Sequence, residues 1–212
     1  MPDVIINTTP PTFQKLSQDP YDELDTEAWV DKQIEYGSQE HTVSGRGLLP
    51  YIKQLKGELV GCEIGVCNGF TTEYLVKNIL NIKTLYAVDN YPIYIDWNGT
   101  RLTEERQEES KRRCAKKLSQ YSNITLVYKS STEFAKSLDN DSLDFIFIDG
   151  DHSYKGVIED IKNYWPKVKN NGVFAGHDIN LASVRRAIKD SFSGMPNIRV
   201  EIIENNGWII LK

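Results

Sequence analysis

Basic residues are in deficit in this sequence: 25 Lys and Arg against 30 Asp and Glu leave a formal charge of −5 over 212 residues. A phosphate backbone is neutralised by an excess of cations, so nucleic acid is not an expected partner. Long apolar runs are missing too. Charge interrupts every hydrophobic stretch before the roughly 18 residues that a membrane span needs, so no membrane partner is expected. The opening MPDVIINTTPPTFQKL lacks the basic-then-apolar order of a secretory signal. Cysteine is scarce: Cys62, Cys67 and Cys114 form an odd set without framework spacing. That argues against disulfide stapling and for the reducing cytoplasm, with thiols that serve packing.

What is present fits one domain with a single core and some decoration. Residues 1–45 are polar, proline-bearing and weakly periodic apart from a helical stretch over Glu23 to Tyr36, and read as an N-terminal arm. Such an arm invites a second copy of the chain, a homo-oligomer, as partner. From residue 46 to residue 212 the pattern is regular. A helix through LLPYIKQL precedes the apolar run LVGCEIGV, a helix over Thr71 to Leu80 and the run TLYAVD, which is a β-α-β unit. ITLVYK, a helix near Thr132 to Leu138, LDFIFID, a helix over Tyr154 to Lys169 and VFAGHD repeat the alternation. Strands this continuously apolar are buried on both faces.

The tail breaks the rhythm. After a helix over Leu181 to Ser191, IRVEII and GWIILK flank Glu204-Asn205-Asn206-Gly207, and Asn-Gly is a hairpin signal. The expected fold class is therefore α/β, doubly wound, with a mostly parallel sheet that ends in an antiparallel hairpin. A segment near 90–120 is longer than a plain crossover and reads as a lid-like insertion. Its Tyr91, Tyr94 and Trp97 suit the lining of a sugar or aromatic site, or equally a patch that packs the arm onto the core. Its charge run TEERQEESKRR reads as a solvated helix. His41, in the arm, is assigned no role.

Chemistry concentrates at strand ends. The first strand runs into Glu63-Ile64-Gly65-Val66-Cys67-Asn68-Gly69, and Phe70-Thr71-Thr72 then opens a helix. Gly65 and Gly69 allow a tight turn and close approach of a ligand, while the helix start offers unpaired N–H donors. The spacing is not the G-x-G-x-x-G of nicotinamide enzymes. Asp89 ends the next strand, where its carboxylate suits both hydroxyls of a ribose or, alternatively, the N–H groups of its own turn. Ser130 and Ser131 follow the third strand, and a cap for the helix at Thr132 is one reading of them. The fourth and fifth strands end in Asp149-Gly150-Asp151-His152-Ser153-Tyr154 and Gly176-His177-Asp178. In a parallel sheet, Asp149, Asp151, His152, His177 and Asp178 converge on one crevice; otherwise they are solvated turn residues.

Together these motifs resemble the class I S-adenosylmethionine-dependent methyltransferases, and the DGDHSY…GHD pair resembles the metal-dependent O-methyltransferases of the macrocin and catechol types, over about residues 45–212. The resemblance implies a seven-stranded, Rossmann-like sheet. It implies S-adenosylmethionine bound by Glu63, Gly65, Gly69, Asp89, Ser130, Ser131 and Asp149, with Glu63 under the methionine portion, Asp89 on the ribose and the serines at the adenine. It also implies a magnesium or manganese ion held by Asp149, His177 and Asp178. His152, three positions after Asp149, matches the family base that takes the proton of a hydroxyl on a small molecule or sugar. His177 departs from the family's acidic residue, and magnesium prefers oxygen ligands. It therefore ligates the ion, orients substrate or buttresses Asp178. Asp151 is most simply a turn residue or one that sits behind the site. Two rivals stay open: a non-catalytic ligand-binding protein of this fold, and a metal-independent small-molecule methyltransferase.

Overall fold

The most apolar runs occupy the middle of the sheet, where helices cover both faces. The computed structural model describes residues 43–95, 101–195 and 197–212, all within the unit Gln39–Lys212. The strands are β1 (Leu59–Ile64), β2 (Ile82–Val88), β3 (Tyr94–Ile95), β4 (Arg101–Leu102), β5 (Ile124–Val127), β6 (Leu143–Ile148), β7 (Val168–Gly176), β8 (Glu201–Ile203) and β9 (Gly207–Leu211). The helices are α1 (Leu49–Ile52), α2 (Phe70–Asn78), α3 (Glu104–Leu118), α4 (Ser131–Ala135), α5 (Tyr154–Tyr164) and α6 (Ala182–Ser191). Seven strands form one sheet in the order β5-β2-β1-β6-β7-β9-β8, while β3 and β4 make a separate two-stranded ribbon. Pairing is parallel from β5 through β7. It becomes antiparallel at β7–β9 and β8–β9. The expected fold class, a mostly parallel seven-stranded sheet closed by a hairpin, is the one observed.

Alternation along the strands divides the core. Phe145 and Phe147 face Leu48, Ile52 and Leu75, whereas Ile146 and Ile148 face Val157 and Ile161 of α5 and Val184 and Ile188 of α6. After β1 the chain builds outward on one side through β2 and β5, then returns to lay β6 on the other side of β1. The carboxyl ends of β1 and β6 thus flank the switch point where open α/β sheets form their crevice. No helix among the described residues is long and apolar enough to cross a membrane.

Several elements differ from the sequence expectation for local reasons. The helix read as far as Lys169 stops at Tyr164, and Trp165–Lys167 form a 3-10 turn around Pro166, which has no N–H with which to continue the helical ladder. The stretch LLPYIKQL gives only a 3-10 turn at Ser44–Leu48 followed by one turn of α1. In the hairpin the left-handed pair is Asn205 and Asn206, with φ of 58° and 57°, rather than Asn-Gly. Gly207 is needed for space instead, since a Cβ there would stand 2.7 Å from Ile203 Cγ1. The run TEERQEESKRR does form a solvated helix, α3, started by the Thr103 side chain and laced by pairs of Glu109 with Arg112 and Arg113. The arm helix over Glu23 to Tyr36, His41 and Trp97, and the side chain of Tyr94, lie outside the described residues.

Candidate active site

The loop leaving β1 lies flat against the loop leaving β6. Gly65, with φ of +86°, makes this contact, and a Cβ there would fall 2.1 Å from the Asp149 carbonyl oxygen. Its N–H donates to Val88 O at 2.9 Å, and the Asp149 N–H donates to Ile64 O at 2.8 Å. Cys67 (φ 49°) and Gly69 (φ 74°) continue the left-handed path into α2, whose N-terminus has no side-chain cap. A helix start of this kind, without a side-chain cap, is a place where anionic ligands bind.

Asp89 braces this loop. One carboxylate oxygen accepts the Cys67 N–H at 2.8 Å and the other the Tyr91 N–H at 2.7 Å, while the Tyr91 hydroxyl donates to Cys67 O at 2.8 Å. Both alternatives read from the sequence are thus compatible, because a carboxylate has about four acceptor sites and the N–H groups of Cys67, Tyr91 and Val66 leave room for a ribose hydroxyl. Burial raises the Asp89 carboxyl above its ordinary range, against the pull of the backbone N–H groups. Glu63 is more enclosed, 1% exposed, and accepts the Thr72 hydroxyl at 2.5 Å. Burial outweighs that bond, and with the charges of Asp149 and Asp89 it pushes the Glu63 carboxyl up to about 8. Between these groups opens a cleft of ≈160 Å³ lined by Ser44, Glu63, Gly65, Asn68, Thr71 and Asp149 among others.

Ser130 and Ser131 do their visible work inside the protein. The Ser130 hydroxyl accepts the Glu133 N–H at 3.2 Å and caps α4. The Ser131 carbonyl accepts the Tyr164 hydroxyl at 2.7 Å, and its side chain bonds to the buried Asp160. Cys62 and Cys114 are packing thiols as expected, but Cys67 is exposed on the glycine loop.

At the ends of β6 and β7 the acidic and histidine residues converge as read from the sequence, except that Asp151 turns away to accept the Ser153 N–H and hydroxyl. His152 Nε2 stands 2.9 Å from Asp178 Oδ2 and 3.5 Å from Asp149 Oδ1. His177 Nδ1 stands 3.2 and 3.5 Å from the same two oxygens. Asp149, His152 and Asp178 each present a donor atom within 4.8 Å of one another, a group able to hold a metal ion. Burial opposes the charged imidazole of His152, but its bonds to Asp149 and Asp178 win and push it up to about 10. His177 is raised against burial too, chiefly by Asp178. In the reverse sense, His152 and His177 overcome burial and hold the Asp178 carboxyl well below the usual range. Two carboxylates and two imidazoles thus balance one another through shared protons.

The supports of this corner carry no sequence signal. Ser183, near the start of α6, donates to the His152 carbonyl at 2.7 Å, yet it reads as an ordinary helix-start serine. Trp208 Nε1 donates to the His177 carbonyl at 3.1 Å, a contact that exists only because β9 pairs antiparallel with β7 and sets Trp208 beside Gly176. A Cβ on Gly176 would meet the Trp208 ring at 2.6 Å. Thr72, the partner of Glu63, was likewise read only as part of a helix start.

Comparison with known proteins adds a family. A family model described as a methyltransferase domain matches residues 62–179. No curated protein matches the sequence. Among solved structures, a protein that carries the name of a caffeoyl-CoA O-methyltransferase, from Staphylococcus aureus, superposes with a TM-score of 0.56 at 14% identity, over 89% of this chain and 93% of its own. An rRNA methylase from Streptococcus thermophilus gives 0.55 at 13% identity, over 81% of this chain and 96% of its own. A precorrin-6y C5,15-methyltransferase from Geobacter metallireducens GS-15 gives 0.57 at 17% identity, over 82% and 89%. Such low identities speak for a shared fold and leave the methyl acceptor open.

Proposed function

This chain belongs to the methyltransferase-domain family as a class I S-adenosylmethionine-dependent methyltransferase, and from that premise we propose that it methylates a hydroxyl of a small molecule or sugar with help from a divalent ion. The observation that carries the proposal is the double position of Asp149, which lines the cleft beside the glycine loop and also stands 3.5 Å from both His152 Nε2 and His177 Nδ1. The cofactor supplies an electrophilic methyl group. Glu63, Gly65, Gly69 and Asp89 would hold it, and the positive end of the α2 dipole suits its carboxylate. Asp149 and Asp178 would hold the ion, whose contribution is to lower the pKa of a bound hydroxyl. The donor set fits a divalent ion, and its mixture of oxygen and nitrogen favours manganese over magnesium.

The histidines divide by exposure. His177 is the more enclosed, with its carbonyl fixed by Trp208, and suits a ligand; His152 is more open to the crevice and suits the base. A neutral aliphatic hydroxyl is a poor nucleophile, so a group must take its proton, and His152 can do so only in its neutral form. Carboxylates that hold the ion no longer hold the imidazolium, which brings the His152 pKa down. A second reading draws on the same proton-balanced cluster: His152 acts as base without an ion. Calorimetry with S-adenosylhomocysteine and manganese, followed by turnover on a panel of sugar and phenol acceptors with and without chelator, separates the two. The proposal expects manganese binding that Asp178→Asn abolishes, and turnover that chelator stops; full activity in chelator would leave the second reading.

A further inference from the structure

Asp178 stands beside His152 and His177 with φ of 58°, in the left-handed region. A residue with a Cβ is strained there, less for Asp than for most, and stays only where its surroundings over-determine it. Those surroundings are visible on both sides. The peptide plane before Asp178 is held through the His177 carbonyl, which accepts the Trp208 Nε1–H at 3.1 Å. The plane after it is held through the Ile179 N–H, which donates to the Asn206 carbonyl at 3.0 Å. Rotation about φ turns one plane and rotation about ψ turns the other, so two such bonds fix the direction in which the side chain leaves the backbone. Both partners belong to one element, the β8–β9 hairpin.

The hairpin is itself well seated. Its tip is turned by Asn205 and Asn206, both left-handed, which aims the Asn206 carbonyl. Ile203 and Glu204 press on Gly47, where a Cβ would meet Ile203 Cδ1 at 3.1 Å and the Glu204 nitrogen at 3.2 Å, and the Tyr51 hydroxyl donates to Glu201 at 2.5 Å. On the reading that Asp178 serves the acid and histidine cluster, we propose that the hairpin is its positioning device: Trp208 and Asn206 grip the peptide planes on either side of Asp178 and so direct its carboxylate toward His152 and His177. Asp149 is placed by other means, since its N–H continues the ladder to Ile64 on β1. The antiparallel strands thus close the sheet and also set one of the two carboxylates of the cluster.

Asn206 is exposed, so its variants test the grip without entering the core. Asn206→Val disfavours the left-handed turn and should swing the carbonyl away from Ile179, whereas Asn206→Gly keeps the turn. Trp208→Phe removes the donor and keeps an aromatic ring. Nuclear magnetic resonance of the ion-free protein reads φ at Asp178 directly, because a left-handed residue brings its own amide and α protons together and gives a strong cross-peak between them. Calorimetry with manganese chloride and with S-adenosylhomocysteine gives the affinities. Parent and Asn206→Gly should show the cross-peak. Asn206→Val and Trp208→Phe should lose it, with manganese affinity lower by about 10–100-fold and S-adenosylhomocysteine affinity unchanged. A parent-like cross-peak in both variants would overturn the inference. So would a lost cross-peak with parent-like manganese affinity, which would make the grip a structural contact only. Should Trp208→Phe not fold, the two Asn206 variants decide. A parent that binds no manganese would remove the ion reading, and the cross-peak would still decide the positioning role.

Discussion

The two sides of Asp149 are built on opposite plans. On the glycine-loop side, shape comes from the backbone: left-handed residues at 65, 67 and 69, a carboxylate tied to two N–H groups, and a helix start without a cap. Among the described residues, Glu63 there meets a hydroxyl, that of Thr72, and other carboxyl groups. On the histidine side, shape comes from side chains that satisfy one another, and charge is closed by protons shared among Asp149, His152, His177 and Asp178. The contrast suggests a division of labour. A backbone-built cradle suits a constant ligand, whereas a proton-balanced cluster can exchange its protons for an ion and present a base to a variable acceptor.

The sharpest way to test this division is to break one side and watch the other. His152→Ala should lower turnover by roughly 10²–10⁴-fold while leaving S-adenosylhomocysteine affinity unchanged, by single-turnover kinetics and calorimetry. Gly65→Ala should do the reverse kind of damage: a positive φ and a Cβ against the Asp149 carbonyl should cost about 2–4 kcal/mol in denaturant unfolding and remove nucleoside binding. Asp89→Ala should weaken S-adenosylhomocysteine by about 1.5–3 kcal/mol, since the brace and the ribose acceptors leave together. Manganese affinity in that variant should match the parent.

Titration sharpens the comparison further. His152 in the ion-free protein has its pKa raised from 6.5 to about 10, so its contribution to stability is complete below 6.5 and is lost as pH rises through about 10. Glu63, raised from 4.5 to about 8, has the same sign over a lower window. Asp178 is lowered from 3.8, so its contribution is present above that value and lost in acid. Thermal melts of ion-free protein should therefore decline from pH 6.5 toward pH 10, and manganese should flatten the upper part of that decline. A melt that ignored manganese would count against the cluster as an ion site. The smallest effect belongs to Ser130→Ala, which should cost about 1 kcal/mol of stability as a lost helix cap and leave nucleoside binding intact. A large loss of binding there would restore an adenine contact to Ser130.

Much of the fold was legible because its signals are local. Continuous apolar runs between glycine and proline punctuation mark buried parallel strands, and β1, β2, β6 and β7 fall where LVGCEI, TLYAV, LDFIFI and VFAG stand. Helix ends were less legible: the stop at Tyr164 depends on Pro166 and on where β7 must begin, and the left-handed pair Asn205-Asn206 was masked by the stronger Asn-Gly signal beside it. The serines after β5 were ambiguous for a good reason, since a hydroxyl that caps a helix and one that meets a ligand look alike in sequence.

The sequence by itself determined which residue types stand at the strand ends: Glu63, Gly65, Asp89, Asp149, His152, His177 and Asp178 are all positioned by the period of the β-α alternation. Tertiary structure alone decided what they face. Parallel packing of β1 against β6 presses Gly65 onto Asp149, and the antiparallel return of β9 brings Trp208 to the His177 carbonyl across 31 residues of chain. The docking of α6 brings Ser183 to His152. Charge balance followed the same rule. Whether a carboxyl has a proton-sharing partner, as Asp178 has, or only a hydroxyl, as Glu63 has, depends on neighbours far away in sequence, because solvation and Coulomb interaction act through space while sequence patterns record only what is near along the chain.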